Sequence, residues 1–391
     1  MGYISLRMKR FCGFITGFVF FLSGMVKLMD PVGAGLVMDE YFSFLHISFL
    51  SFSAKAFGVF FALTETVIGA ALITGVWRKV TAVCAIVLQA FFTLLTLLLV
   101  IFNPEMDCGC FGEAIHLTHL QTFIKNIILL ALLLAYYIPH DQLGETLKKK
   151  YVSFGLVTVS VIAFTIYSLI YIPLIDFTAY RPGAELEAGA QVNADDMYES
   201  IFTYEKDGIQ ETFTLGHLPD STWTFVSVDT RLKKGYEESL TGLSFYAPQT
   251  GEYQDKLAIE GKVMVISVYN PDMKKDKWTQ IEAFATRASK AGFRVLLLCA
   301  SQEGIPASLQ EQAYISDYKT LISLNRSNGG ITYFYNGQLI RKWASINTPD
   351  ASQLQAIVET GPTEISIEQD NKGSLVFQGF LLYVFAVMLL M

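Results

Sequence analysis

The stretch Asp107-Cys108-Gly109-Cys110-Phe111-Gly112 lies between two hydrophobic runs, about 80–102 and 120–138. Each run is long enough to cross a bilayer core of about 30 Å. The stretch is therefore a loop between spans, and it carries two thiols two residues apart. Such a pair can close into a small disulfide ring. A bridge needs Cα atoms about 4.4–6.8 Å apart, and a fully extended i,i+2 pair lies at or just past the upper limit, so the backbone must bend. Gly109 has no Cβ and bends at little cost. Strained disulfides tend to be reducible ones, which points to redox chemistry. Two other readings stay open. The bridge could be a structural clip. His116 and His119 follow closely, and the resulting C-x-C-x5-H-x2-H could hold a soft ion, although it is not a standard zinc spacing.

Working outward, five strong spans are expected at about 11–29, 56–77, 80–102, 120–138 and 152–172, and a sixth at about 374–391. The composition agrees: mean hydropathy is +0.39, and 17 % of residues are charged. The net charge of −7 and the absence of a basic stripe exclude nucleic acid as a partner. Arg7, Lys9 and Arg10 precede the first span, Arg78 and Lys79 separate the second and third, and Lys148, Lys149 and Lys150 separate the fourth and fifth. The loop 103–119 has neither Lys nor Arg. By the positive-inside rule the N-terminus is cytoplasmic, and the cysteine loop and segment 173–373 both face outward. The expected location is the inner, cytoplasmic membrane, with the thiols on the oxidising side. The first span starts like a signal peptide but lacks an A-x-A site, so it is read as a retained anchor. Residues 31–55 are too polar to span and are expected to cap the bundle.

Glu65 falls near the middle of the second span. A carboxylate there is a functional-site candidate; the alternative is a protonated Glu hydrogen-bonded between helices. Lys27, at the outer end of the first span, could pair with it or reach toward headgroups. Gln89 is a weaker case of the same kind. Of the five cysteines, Cys12, Cys84 and Cys299 lie in apolar runs and read as small buried hydrophobes. The candidate catalytic residues are therefore Cys108, Cys110 and Glu65.

These residues resemble a known family. The run from Phe18 to Pro31, ending Lys27-Leu28-Met29-Asp30-Pro31, is similar to the opening of DoxX-like membrane proteins, and Glu65 to Gly75 to their second helix. Asp107-Cys108-Gly109-Cys110-Phe111-Gly112 resembles the signature of the MauE, or methylamine-utilisation, branch. The resemblance covers about residues 8–140. It implies a four-helix bundle, expected over residues 1–145, and a part in disulfide formation or other membrane redox work, sometimes linked to quinone. It does not imply methylamine metabolism.

A fifth transmembrane helix is expected at 151–173 and a linker at 174–200. About 25 flexible residues reach roughly 25–30 Å, enough for a following domain to swing over the cysteine loop. Strands begin near 201. Lys262–Tyr269, a helix at 276–291, Arg294–Ala300, a hairpin on Asn336-Gly337 and a helix at 350–359 give β-α-β…β-β-α. That order resembles a thioredoxin-like domain over about 255–360, within an expected domain of 201–362. The resemblance implies a Cys-x-x-Cys after Tyr269 and a cis-proline before the hairpin. This chain has Asn270-Pro271-Asp272-Met273-Lys274-Lys275 and Asn328-Gly329-Gly330 instead.

The fold expected is thus a membrane α-helical bundle with an extracytoplasmic α/β domain. Three functions are weighed. In the first, a thiol–disulfide oxidoreductase uses Cys108 and Cys110, takes an extracytoplasmic thiol protein as partner and passes electrons to a membrane carrier such as quinone. Asp107 and Glu113 are expected to raise the thiol pKa values by repulsion, and the start of the fourth span near Thr118 to lower them. The second is a non-catalytic accessory protein whose domain binds a client. The third is metal binding by Cys108, Cys110, His116 and His119. No haem or flavin motif is visible, the quinone is implied only by the chemistry and the resemblance, and membrane lipids are the remaining partner.

Overall fold

The computed structural model describes residues 5–104, 106–138, 146–186, 198–206, 209–214, 219, 222–232 and 242–390. Six helices in it are long and apolar enough to cross a membrane. Helix α1 spans Leu6–Met29, α2 Pro31–Phe44, α3 Ala54–Thr74 and α4 Arg78–Phe102. A short strand β1, Cys110–Glu113, and helices α5, His119–Tyr137, and α6, Lys148–Ile170, follow. The local signals are ordinary ones. Asp30 ends α1 and caps α2 by accepting from Gly33 N at 2.9 Å. Thr118 and Gln121 form a capping box that starts α5 just beyond the cysteine loop. Helix α2 and the 3-10 turn Ser48–Ser53 lie at the end of the bundle that carries the cysteine loop, as the polar reading of 31–55 requires.

Helices α1, α3, α4 and α5 share one apolar core, with Cys12, Phe20, Leu72, Ala85 and Leu133 inside it. Helices α1 and α3 approach so closely that a side chain cannot fit at the crossing. A methyl added at Gly69 would sit 2.5 Å from Phe21 N, and one at Gly24 would strike Thr66 Oγ1. Small residues at such seams let backbones pack without lipid between them. On the opposite face of α1 and α3 a second core takes in Phe21, Met25 and Ala62 together with Val157, Val161 and Phe164 of α6.

The sheet region follows. Strands β2, Tyr198–Lys206, β3, Ile209–Thr214, and β4, Thr224–Leu232, form a separate antiparallel sheet in the order β3-β2-β4. The main sheet is built from β5, Phe245–Tyr246, β6, Lys262–Val268, β7, Arg294–Cys299, β8, Ala313–Ser316, β9, Gly330–Tyr335, and β10, Gln338–Trp343. Its order is β10-β9-β6-β7-β8-β5, with β6, β7 and β8 parallel and the others antiparallel. Helix α7, Lys275–Lys290, and the later α10, Ala351–Glu359, cover one face through Phe284 and Leu354. Between them in sequence lie the short α8, Ala307–Gln310, and α9, Tyr318–Leu324; the latter covers the other face through Leu321 and Leu324. Strand β6 is buried on both faces, which explains its unbroken apolar run. The hairpin turn adopts positive φ at both Asn336 and Gly337, as its sequence demands. Strands β5 and β8 extend the sheet beyond the expected pattern; both are too short to show alternation.

Three expectations are corrected. The last helix, α11, runs Pro362–Leu390 rather than from 374. Its first turn puts Ile365 into the sheet domain's core, while Phe377, Val384 and Met388 pack into the membrane core. Nothing interrupts it, and Pro362 suits a first helical turn. Second, the stretch 174–186 is no linker. Gly183 N and Leu186 N donate to Leu339 O and Gly337 O, Leu339 N donates back to Ala184 O, and Tyr180 and Leu186 are buried under the sheet. Edge pairing along β10 outcompetes the flexibility that its Pro and Gly suggest. The remainder of the expected linker, 187–197, and Met391 lie outside the described residues. Third, Cys84 is exposed on the outer face of α4, because the helix turns that position away from its neighbours; Cys12 and Cys299 are buried as expected.

The α1–α3 seam yields a test. Gly69→Leu should destabilise the detergent-solubilised protein by about 1–3 kcal/mol or more through overpacking. Gly155→Leu, where no atom lies within 4 Å of an added Cβ, should leave the thermal midpoint near wild type. Equal behaviour of the two variants would mean that the seam tolerates separation.

Candidate functional site

The cysteine loop is tied down from three helices, α1, α2 and α5. Gly109 and Gly112 both take positive φ, which bends the loop at the two glycines of the motif. Ser23 Oγ of α1 donates to Cys110 O at 2.6 Å, and Tyr41 Oη of α2 donates to Cys108 O at 2.9 Å. One turn after Ser23, Lys27 points the same way and pairs with Glu65 Oε2 of α3 at 2.6 Å. On α5, Thr122 Oγ1 lies 2.9 Å from Cys108 Sγ, and Lys125 Nζ sits 4.8 Å from the centre of the Phe111 ring. The sequence-designated residues Cys108, Cys110 and Glu65 are thereby brought to one place, with Lys27 between the carboxylate and the loop. Of the two alternatives for Lys27, pairing is the one realised.

Both cysteines are free thiols here, Cys108 buried and Cys110 partly accessible. Their environments split them. The Cys110 thiol donates to Cys108, and with the Thr122 hydroxyl and the charge of Lys125 this outweighs burial and lowers Cys108 to about 5. The Leu117 carbonyl, 3.2 Å from Cys108 Sγ, accepts from the neutral thiol and works the other way. The same Cys108–Cys110 hydrogen bond, together with burial, pushes Cys110 well above the ordinary thiol range, although Lys125 and Lys27 pull it down. The expected repulsion by Asp107 and Glu113 is not among the main causes of either shift. Asp107 turns outward to His116 Nδ1 at 3.0 Å, and Glu113 is engaged by an arginine.

That arginine is Arg326, which no sequence signal singled out. It comes from the sheet domain, just after α9, and its side chain is 4 % exposed. Nε lies 2.9 Å from Asp30 Oδ2 and Nη2 lies 2.8 Å from Glu113 Oε1. Burial lowers its affinity for the proton, but Asp30 and Glu113 more than offset this and hold it above its ordinary range. Breaking one partner of such a buried cluster typically costs about 3–5 kcal/mol. A second ion pair, Lys342 Nζ to Asp176 Oδ2 at 2.5 Å, joins β10 to the chain leaving α6. Thr122 and Lys125 could have been found as polar positions on an otherwise apolar helix; Arg326 lacks even that.

The two histidines do not converge on the thiols. His116 pairs with Asp107, and His119 Nε2 meets Pro104 O at 3.1 Å. Among the described residues no cluster of three or more His, Cys, Asp or Glu is placed to hold a metal. Gln89 Nε2 donates to Asn126 O at 3.0 Å and Asn126 Nδ2 donates to Thr96 Oγ1 at 3.2 Å, so Gln89 belongs to a buried polar contact between α4 and α5.

Fold and site define a polytopic membrane protein with a mixed-sheet domain docked at the mouth of its helix bundle. Residues 5–139 match the family described as methylamine utilisation protein MauE, and residues 198–235 match a domain of unknown function, DUF8463. No curated protein and no solved structure matches the chain.

With the thiolate of Cys108 present above about pH 5, its alkylation by iodoacetamide in the reduced protein should be nearly flat from pH 6 to 9, where an ordinary thiol climbs steeply. Thr122→Val removes a donor to the thiolate and should move the half-point upward. A wild-type profile still rising at pH 9 would contradict the assignment.

Proposed function

We propose that this protein is a membrane thiol–disulfide redox protein of the DoxX-like type, in which Cys108 and Cys110 form the redox pair. The observation that carries the reading is the placement of the two thiols: one loop holds both, its carbonyls are fixed by Ser23 and Tyr41, and the Thr122 hydroxyl lies 2.9 Å from Cys108 Sγ, an arrangement that favours the thiolate at Cys108 and the proton at Cys110. Stabilising the reduced form makes the corresponding disulfide an oxidant. A client thiolate attacks Cys110 Sγ, the Cys108–Cys110 bond breaks, and Cys108 leaves as the better leaving group. The second client thiolate attacks the client sulfur of the mixed disulfide and expels Cys110, which takes up a proton. The client is oxidised to a disulfide by two electrons, and the membrane pair becomes the dithiol. Restoring the disulfide would pass two electrons and the Cys110 proton to a lipid-soluble acceptor of the quinone class, the acceptor's second proton coming from solution.

Glu65 and Lys27 have a role in this scheme. Lys27 lies close enough to act on the charge of Cys110, and Glu65 holds Lys27 by the ion pair. Together they offer a route for the proton that Cys110 gains and loses. The orientation follows from the Lys and Arg asymmetry: cysteine loop and sheet domain outside, in the periplasm, with α11 returning the chain to the cytoplasmic side. We assign the domain to a thioredoxin-like type. Support comes from the central β6 flanked by parallel β7 and antiparallel β9, with β10 outside β9 and α7 following the loop after β6. In that loop Asn270 takes the place of thiol chemistry. Its N–H donates to Asn328 Oδ1 at 3.0 Å and its carbonyl accepts from Asn328 Nδ2 at 2.7 Å. A domain without thiols at this place serves docking, not catalysis. The docked domain also favours the second reading, an accessory protein that presents the domain to a client while Cys108 and Cys110 clip the loop.

The test is turnover of a dithiol peptide by the oxidised full-length protein in lipid nanodiscs. Cys108→Ser and Cys110→Ser should each abolish it. Glu65→Gln should insert normally and slow turnover by roughly tenfold or more, the usual scale for losing a proton-transfer group. Cysteine variants that match wild type would leave only the accessory reading, and a Glu65→Gln variant at wild-type rate would make that residue packing alone.

A further inference from the structure

Two carboxylates at the mouth of the bundle share one cation, and the cation belongs to the other part of the molecule. Asp30 sits between α1 and α2, where it also caps α2. Glu113 ends β1, three residues after Cys110. Arg326 reaches both with different nitrogens and uses Nη1 to donate to Ile322 O at 3.2 Å. Its own backbone is fixed by the sheet domain. Tyr269 Oη donates to Arg326 O at 3.2 Å. The neighbouring Asn325, fully buried, donates to Ile331 O and Trp343 O. The arginine is therefore a rigid projection of the domain, two residues from Asn328.

The strand bearing Cys110 has three attachments of different origin. Ser23 holds the Cys110 carbonyl from α1, Tyr41 holds the Cys108 carbonyl from α2, and Arg326 holds the Glu113 side chain from the sheet domain. Only the third can be made or broken by moving the domain. The surroundings favour such a contact. The bundle side presents Asp30, Asp39, Glu40, Asp107 and Glu113, and Asp107 and Glu113 both act unfavourably on Glu40. The domain answers with Arg326 and with Lys319, 3.6 Å from Glu40. Removing the domain would leave a cluster of like charges around the strand.

We propose that Arg326 is the positioning residue through which the sheet domain assembles the membrane dithiol, holding the Cys110 strand in place while the domain is docked and releasing it to a client when the domain lifts. This rests on the redox reading above and adds the control of access to it. The attachment points around the domain set the scale of the movement: Asp176–Lys342 and the continuous α11 keep it close to the bundle, so release is a local lifting rather than a long swing.

The experiment uses the full-length chain in nanodiscs, with Cys12, Cys84 and Cys299 replaced by alanine so that only the loop thiols react. Reduced protein is labelled with iodoacetamide or with a bulky polyethylene-glycol maleimide, and the ratio of the two rates is the readout. Wild type should strongly disfavour the bulky reagent. Arg326→Gln and Glu113→Gln should each raise the relative rate of bulky labelling by tenfold or more. Arg326→Lys should fall between, because one ammonium cannot face both acids as a guanidinium does. Should Arg326→Gln fail to fold, Glu113→Gln carries the test, since it removes the same bridge without altering the domain. Ratios for Glu113→Gln and Arg326→Lys within twofold of wild type would overturn the proposal. A wild-type pair that never forms a disulfide would sink the redox reading instead, and the labelling ratio would still decide this one.

Discussion

Charge has to balance at a thiol pair placed where water is scarce and acids are many. The mouth of the helix bundle gathers Asp30, Glu40, Asp107 and Glu113 close to Cys108 and Cys110, and a low-dielectric site amplifies whatever is left uncompensated. Among the described residues, cations from both the bundle and the sheet domain meet that demand, Lys319 facing Glu40. Lys27 of α1 pairs with Glu65 and faces Cys110; Lys125 of α5 lies over Phe111; Arg326 of the sheet domain takes Asp30 and Glu113 together. The close α1–α3 seam sets the Lys27–Glu65 distance, and the start of α5 sets Thr122 against Cys108. Fold and site are thus one problem: the helices are placed so that the loop can carry a thiolate.

Much of this was legible in the sequence, for reasons that can be named. Hydropathy placed the first five spans to within a few residues, because lipid forces the backbone to satisfy itself and leaves helix as the only option for such runs; the last helix begins at Pro362 rather than at 374. The i,i+2 cysteines and a lone mid-span carboxylate marked Cys108, Cys110 and Glu65, since each is costly there without a partner. What stayed hidden depends on packing between distant segments. Arg326 occupies a turn beside Asn328-Gly329-Gly330, where arginine is an ordinary surface residue; its burial arises only when the domain meets the bundle. Residues 174–186 read as linker because edge pairing with β10 leaves no periodic trace. Cys84 faces outward because an apolar run does not say which side of a helix meets lipid. The lowered pKa of Cys108 stayed hidden for the same reason: Asp107 and Glu113 are near in sequence, but their side chains are drawn to His116 and Arg326.

The structure also separates two kinds of polar group inside the helices. Gln89 and Asn126 bond to each other's helix and satisfy themselves, as structural groups in membranes do. Glu65 instead pairs with Lys27 at 2.6 Å, one turn from the Ser23 that holds the cysteine loop. In the sheet domain, the loop after β6 closes on itself through Asn270 and Asn328. In the proposed scheme the thiol chemistry falls to the membrane loop, and the domain acts by where it sits.

The account rests on Cys108 and Cys110 being a reversible two-electron couple. The most direct measurement is thiol trapping of the full-length protein in membranes equilibrated across a series of glutathione buffers, followed by mass analysis of the loop peptide. The account expects both cysteines to lose alkylation together, with the peptide lighter by two hydrogens, and a midpoint on the oxidising side of about −200 mV, as for a dithiol whose reduced form is stabilised. Cysteines that stay alkylatable in every buffer, or that titrate independently of each other, would contradict it.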